Sequence, residues 1–464
     1  MSFDAISAPR EAGTPADLLS PGQSAAISDL SPDEVATIIP AQERMSVVGP
    51  AAARKPPSLL RKPAIAGLLL SEVVSSAGSQ MSTMALPWFV LATTGSVTRM
   101  GLVFAAELIP LAPLGILAGI FVARFGVRRT MLLGDAARAP LIAAVPLLHL
   151  LGLLSFPVLL VIVMAVGTVT TPYIAAQRLA LPEVVGDDEQ VMMRASGLLE
   201  AAIRGAGLIG PALAGAVIGL IGAVNVLWVD AATFALSLVV LLPTLRIRVN
   251  RAGAVPAGGL LAGARAVLGD RLLACVAGVA TLYGLFFPFV IASLPVMAEL
   301  RYGHNAHVAG ALLASWGGGA LLGALTVGRL AARFRPLRMG AGAALALDGS
   351  LWFLPWHLPA LAIGGVLVAA GIFTPLLNAP LITLLMTRTE PSVRAQAITF
   401  VLAANLLAGP MAYAVSGPLF SHWGTEPVLI VVAVGLAVCP LILARITVRP
   451  SDQTVPGPVA MRSS

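Results

Sequence analysis

Charge is what this chain has least of: 11% of its 464 residues are Asp, Glu, Lys or Arg, where an ordinary soluble domain carries roughly a quarter. So few charges cannot dress a water-exposed surface, and a soluble globular fold is excluded. Lysine is confined to Lys55 and Lys62 and cysteine to Cys275 and Cys439. Both cysteines lie in apolar runs without metal-ligand or disulfide spacing, so they read as packing residues. Aromatics are scarce at 5%. There is no G-x-x-x-x-G-K-[ST] phosphate loop, which removes direct ATP drive. There is no H-E-x-x-H or G-x-S-x-G either, and His149, His304, His307, His357 and His422 are scattered. No enzyme, cofactor or metal is expected. The net charge of +7 sits in short loops between apolar runs, so it reads as topology and not as nucleic-acid binding.

What the chain has instead is apolar length. With 58% hydrophobic residues and mean hydropathy +0.91, it reads as an all-α integral membrane protein, because about 20 apolar residues span a bilayer as helix. Twelve spans are expected: 64–92, 98–122, 130–152, 154–176, 195–222, 224–245, 272–298, 307–332, 339–357, 359–384, 395–420 and 426–446. Alternate loops hold 22 basic residues on one side and 2, Arg99 and Arg301, on the other. By the positive-inside rule both termini are cytoplasmic.

The spans form two halves. Gly119 to Arg129 closes one apolar run and opens the next, and its spacing G-x-x-x-A-R-F recurs at Gly328 to Phe334. Leu86-Pro87 is echoed by Leu294-Pro295, and Gly210-Pro211 by Gly409-Pro410. A repeat in the same place in the hydropathy pattern is a repeat of structure. Two pseudo-symmetric six-helix bundles, 64–245 and 272–446, are expected, with a cytoplasmic connector at 246–271. Leu260, Leu261, Ala264, Val267 and Leu268 give that connector one apolar face. Residues 1–63 read as a disordered cytoplasmic tail with a capping box at Ser31 to Glu34, and 447–464 as a second tail. No signal peptide is expected, since the first apolar run begins near Ala64.

Over residues 64 to 446 the sequence resembles the major facilitator superfamily. Gly119, Arg124, Gly126 and Arg128 match its loop motif between helices 2 and 3, with Arg129, Gly328 and Arg333 in the same turns. The motif's Asp is replaced by Ala123, and by Ala332 in the repeat. Ser75 to Ser79, Ala85 to Trp88, Asp135 to Ala139, Leu181-Pro182-Glu183 and Asp230 to Phe234 are similar to the drug, macrolide and siderophore exporter branch. Gly210, Pro211 and Gly215 resemble the helix-5 motif of proton-coupled exporters. The resemblance implies proton-coupled efflux of an amphipathic small molecule by alternating access, as a monomer. The alternatives are an uptake or facilitated-diffusion transporter of the same fold, or a membrane sensor that does not transport.

The intramembrane charges support transport independently, because each costs at least about 2.5–3.5 kcal/mol to insert and so marks a cavity or a partner. Asp135 and Arg138, three apart, and Glu200 and Arg204, four apart, are spaced as ion pairs. Glu72 and Glu107 lack a local base, and such carboxyls avoid desolvation by taking a proton. Asp348 is the mid-span acid of the second half, and Asp230 reads as a tie to its neighbouring loop. Gln80, Asn378 and Asn405 are further candidates for substrate contact. The expected partners are a small-molecule substrate, protons and the lipid bilayer. The excess of Arg over Lys suggests a GC-rich bacterium and hence an inner-membrane location.

Overall fold

The computed structural model describes residues 63–185, 189–244, 260–390 and 393–448. The expected tails, most of the connector and the capping box at Ser31 lie outside them. Fourteen helices account for nearly all of the rest: α1 (Pro63–Thr94), α2 (Val97–Leu108), α3 (Leu111–Phe125), α4 (Val127–Leu150), α5 (Phe156–Val185), α6 (Glu189–Ile221), α7 (Ala223–Thr244), α8 (Leu260–Gly269), α9 (Arg271–Leu300), α10 (Ala306–Ala331), α11 (Pro336–Leu351), α12 (Ala360–Arg388), α13 (Arg394–Trp423) and α14 (Thr425–Val448). Among the described residues, nine helical stretches are long and apolar enough to cross a membrane.

The ends of these helices follow from local chemistry. Ser96, Asp270 and Asn305 stand just before α2, α9 and α10, and each side chain accepts a backbone N–H of the first turn, which supplies otherwise orphaned donors. Gly126 alone forms the corner between α3 and α4, at φ 81°, a conformation open to glycine. The second expected span divides into α2 and α3 at Ile109–Pro110, where proline removes a donor. The ninth expected span is shorter than 339–357. Its helix, α11, ends at Leu351, and residues 352–358 fold as turns whose carbonyls face Arg301.

Arg301 lies 3.3–3.4 Å from the carbonyls of Leu354, Pro355 and Trp356 and 3.1 Å from Glu426 Oε1. It ties the end of α9 to the start of α14. Arg301→Gln should cost about 1.5–3 kcal/mol, the worth of charge-assisted hydrogen bonds, read as an earlier thermal unfolding midpoint in detergent.

Helices α1 to α7 pack mainly among themselves, as do α9 to α14; α2 on α13 and α6 on α10 are the main contacts between the two sets. Helix α8 rests on α13 and α9. It buries Val267 while Leu261 and Leu268 stay exposed, so only part of the apolar face read from its spacing is covered.

Candidate functional site

Along α1, Glu72, Ser76, Ser79 and Thr83 recur at helical spacing on one stripe. Along α7, Asp230, Phe234 and Ser237 do the same. Where these stripes meet α4 and α5 the structure assembles a polar file inside an apolar bundle.

At one end of the file, Arg138 pairs with Asp135 one turn away on α4, the spacing that the sequence offered. Both are buried, at 3% and 0% exposure. Ser237 Oγ donates to the other Asp135 oxygen at 2.6 Å. The guanidinium lies over the rings of Tyr173 and Phe234, 3.8 and 4.3 Å from their centroids, a cation–π arrangement on both sides. Glu72, also buried, accepts from Ser76 and interacts with Gln177 and with the Arg138 charge.

At the other end, Asp230 accepts from Ser82 of α1 and, at 3.2 Å, from Thr233. Asp230 therefore ties α7 to α1 inside the bundle and does not serve the neighbouring loop. Gly78 gives these two helices room, because a methyl group there would meet Thr233 and Asp230. Glu107, partly exposed on α2, interacts with Thr83 and with the Asp230 charge. Among the described residues three carboxyl groups, Asp135, Glu72 and Asp230, thus share one guanidinium, and Glu107 meets it only through Asp230.

The second half is sparser. Asp348, buried on α11, accepts from Tyr283 of α9 at 2.7 Å, and its other oxygen has no partner among the described residues. Asn405 packs against Gly284 between α13 and α9, Asn378 is exposed on α12, and Gln80 is half-buried on α1. Phe287 and Trp316 have ring centroids 5.4 Å apart.

The basic turns lie at the opposite end of the helices from the turns at Gly95, Gly222, Gly303 and Gly424. Arg124, Arg129 and Arg333 are exposed, and Arg128 donates to the Leu242 carbonyl at 3.0 Å. Gly119 and Gly328 face open space, so neither is there for close packing in this state. Glu200 is exposed on α6, and the surroundings of Arg204, Gly210 and Pro211 lie outside what the structure describes. Gly215 has a visible purpose: an added methyl carbon would stand 2.7 Å from the Gly310 Cα of α10.

That contact belongs to a seam which closes the glycine-turn end. Gly219 faces His307, Gly101 of α2 lies under the Tyr413 carbonyl of α13, and Gly417 lies on the Thr98 backbone. Thr98 and Ser421 hydroxyls are 3.3 Å apart across it. Along α2 the seam continues to the Ile109–Pro110 break, beyond which α3 turns to α5 and touches α13 only lightly. Small residues let two backbones approach this closely. Gly101, Gly417 and Tyr413 escaped the sequence reading, since a glycine in an apolar run carries no sign of which helix it will meet.

The profile of a family described as "transmembrane secretion effector" matches residues 55–459. A multidrug efflux pump, Tap, of Mycobacterium tuberculosis is 27% identical over 399 residues, covering 82% of this chain and 92% of its own. Its counterpart in Mycolicibacterium fortuitum is 28% identical over 367 residues, covering 76% and 88%. Among solved structures, a nucleoside transporter NupG variant has TM-score 0.69 at 14% identity, covering 82% of this chain and 99% of its own. A bacterial homologue of the iron transporter ferroportin, in an inward-facing state, has TM-score 0.67 at 13% identity, covering 84% and 100%. At these identities the structures speak for the fold alone.

Proposed function

Because the chain belongs to the major facilitator superfamily, in its drug-exporter branch, and is a membrane transporter and not an enzyme, we propose that it exports an amphipathic small molecule, a drug or natural product, in exchange for protons. The kinship with multidrug efflux pumps supports the direction and the substrate class. In this reading twelve spans form two six-helix bundles, 64–245 and 272–446, which rock about a central site in a monomer. The termini and basic turns face the bacterial cytoplasm, so the closed seam is the outer gate and the described state opens inward.

The observation that carries proton coupling is the charge balance of the polar file. A carboxylate without a cation in a bilayer interior is costly, and binding a proton removes that cost. Arg138 answers Asp135 directly. Glu72 and Asp230 feel the same guanidinium, whereas Glu107, beside Asp230 and partly exposed, has no such cation among the described residues. A group that trades its proton as the cavity changes sides can couple to the membrane potential, about 2.3 kcal/mol per proton at 100 mV. The lipid-facing surface and the apolar pair Phe287 and Trp316 suit an amphipathic cargo arriving from the membrane.

Inside-out vesicles test this. Adding one compound from a panel of lipophilic cations, macrolides and siderophores should release protons from parent vesicles, and Glu107→Gln should lose that signal while still exchanging labelled compound at equilibrium. Coupled proton release persisting in Glu107→Gln would sink the assignment.

A further inference from the structure

Tyr413 is the one tyrosine placed in the seam between the two sets of helices. Its ring stacks on Phe104 of α2, with centroids 4.8 Å apart and planes 15° from parallel. One turn from Phe104, Gly101 sits against the Tyr413 carbonyl; one turn beyond Tyr413, Gly417 sits against Thr98. Backbone contacts on both flanks therefore hold this ring wherever the closed seam holds α2. Glu107 follows Phe104 by three residues on the same face of α2, and its charge acts on the Tyr413 hydroxyl.

Among the described residues the other groups that act on Glu107 come from its own half. Helix α7 presents Asp230 and α1 presents Thr83, α5 offers Gly167 to the Glu107 carbonyl, and the Arg138 charge acts on Asp230. All of these travel with Glu107 when the halves rock. The Tyr413 hydroxyl does not, because it belongs to the opposite half.

We infer that Tyr413 is the positioning residue which ties the protonation of Glu107 to closure of the outer gate. This rests on the proton-exchange reading above. In the shut seam an ionised Glu107 lies within reach of the Asp230 charge. A protonated Glu107 offers both a donor and an acceptor, and the phenol of Tyr413 can satisfy one of them. When the gate opens, the phenol leaves with α13 and water replaces it. A proton shifts a conformational balance only through an interaction that differs between the two states, and this hydroxyl supplies such a difference. Closure therefore follows proton uptake from outside, and release of the proton inward frees the gate to reopen.

The test uses the full chain in proteoliposomes with Cys275 and Cys439 replaced by alanine and cysteines installed by Thr98→Cys and Ser421→Cys, so that disulfide formation reports the shut seam. In the parent background cross-linking, taken relative to the reactivity of each single cysteine at the same pH because the thiolate is the reacting form, should rise as pH falls, because protonation favours closure. In Tyr413→Phe, which keeps the ring stack, that pH dependence should flatten and proton-driven efflux should fall about tenfold, the worth of one hydrogen bond. Counterflow of labelled compound should persist. Phe104→Leu, which weakens the stack and leaves the hydroxyl, should keep the pH dependence. An unaltered pH profile in Tyr413→Phe, or an equal loss in Phe104→Leu, overturns the role of the hydroxyl. Glu107→Gln separates the two readings: if it alone loses proton coupling, the exchange reading stands and Tyr413 falls, and if it retains coupling the exchange reading itself fails.

Discussion

Gly417→Val should abolish net transport while leaving an intact, membrane-inserted protein. A side chain at Gly417 begins 2.7 Å from the Thr98 Cα, 2.8 Å from the Val97 carbonyl oxygen and 3.0 Å from the Thr98 oxygen. All three are backbone atoms of the facing helix, so no side chain can swing aside and only retreat of α2 relieves the clash. Overpacking against such a wall costs about 1–3 kcal/mol, occasionally more, and about 3 kcal/mol moves a two-state population more than a hundredfold. Opening the proposed gate would part these contacts, so the penalty would fall on the closed state alone. Disulfide formation after Thr98→Cys and Ser421→Cys, with the native cysteines removed, should drop at least tenfold when Gly417→Val is added. Gly215→Val should act the same way through α6 and α10. Gly119→Ala is the control, since nothing lies within 4 Å of its added carbon. Normal cross-linking with normal efflux in Gly417→Val would mean that the seam is not the gate.

The architecture could be read from the chain because a bilayer admits few solutions. Apolar length sets helix positions, so α1, α7 and α9 begin within a residue or two of the expected spans. The pair Asp135 and Arg138 was legible for the same reason: three residues on a helix fix a neighbour. The break at Pro110 was half legible, as proline dictates a bend and leaves its angle open. What the chain withheld were contacts between distant segments. Nothing near Asp230 reveals Ser82, 148 residues away, or that Phe234 would roof the guanidinium that Tyr173 floors. Nothing around Gly101 names Gly417. The motif's acid is absent at Ala123 and Ala332, and there the likeness to the family's loop stops.

Arg138→Gln should be the most destabilising single change in the polar file. The guanidinium neutralises Asp135, is felt by Glu72 and Asp230, and fills the slot between two aromatic rings. Removing one partner of a buried pair leaves an uncompensated charge and costs about 3–5 kcal/mol. The acid left behind keeps one donor, Ser237, which cannot replace a cation. Folded yield and thermal midpoint in detergent should both fall sharply. Arg138→Lys should recover only part, because an ammonium restores charge but not the flat stack on Tyr173 and Phe234. The double change Asp135→Asn with Arg138→Gln should be more stable than Arg138→Gln alone, since it removes the orphaned charge together with its partner. A double variant less stable than the single would show that the pair is held by something other than mutual neutralisation. If the double variant folds and still exchanges labelled compound but releases no protons, the guanidinium also sets the charge against which Glu107 titrates. If proton release returns with the fold, the pair serves packing, and Glu107 with its neighbour across the seam carries the coupling.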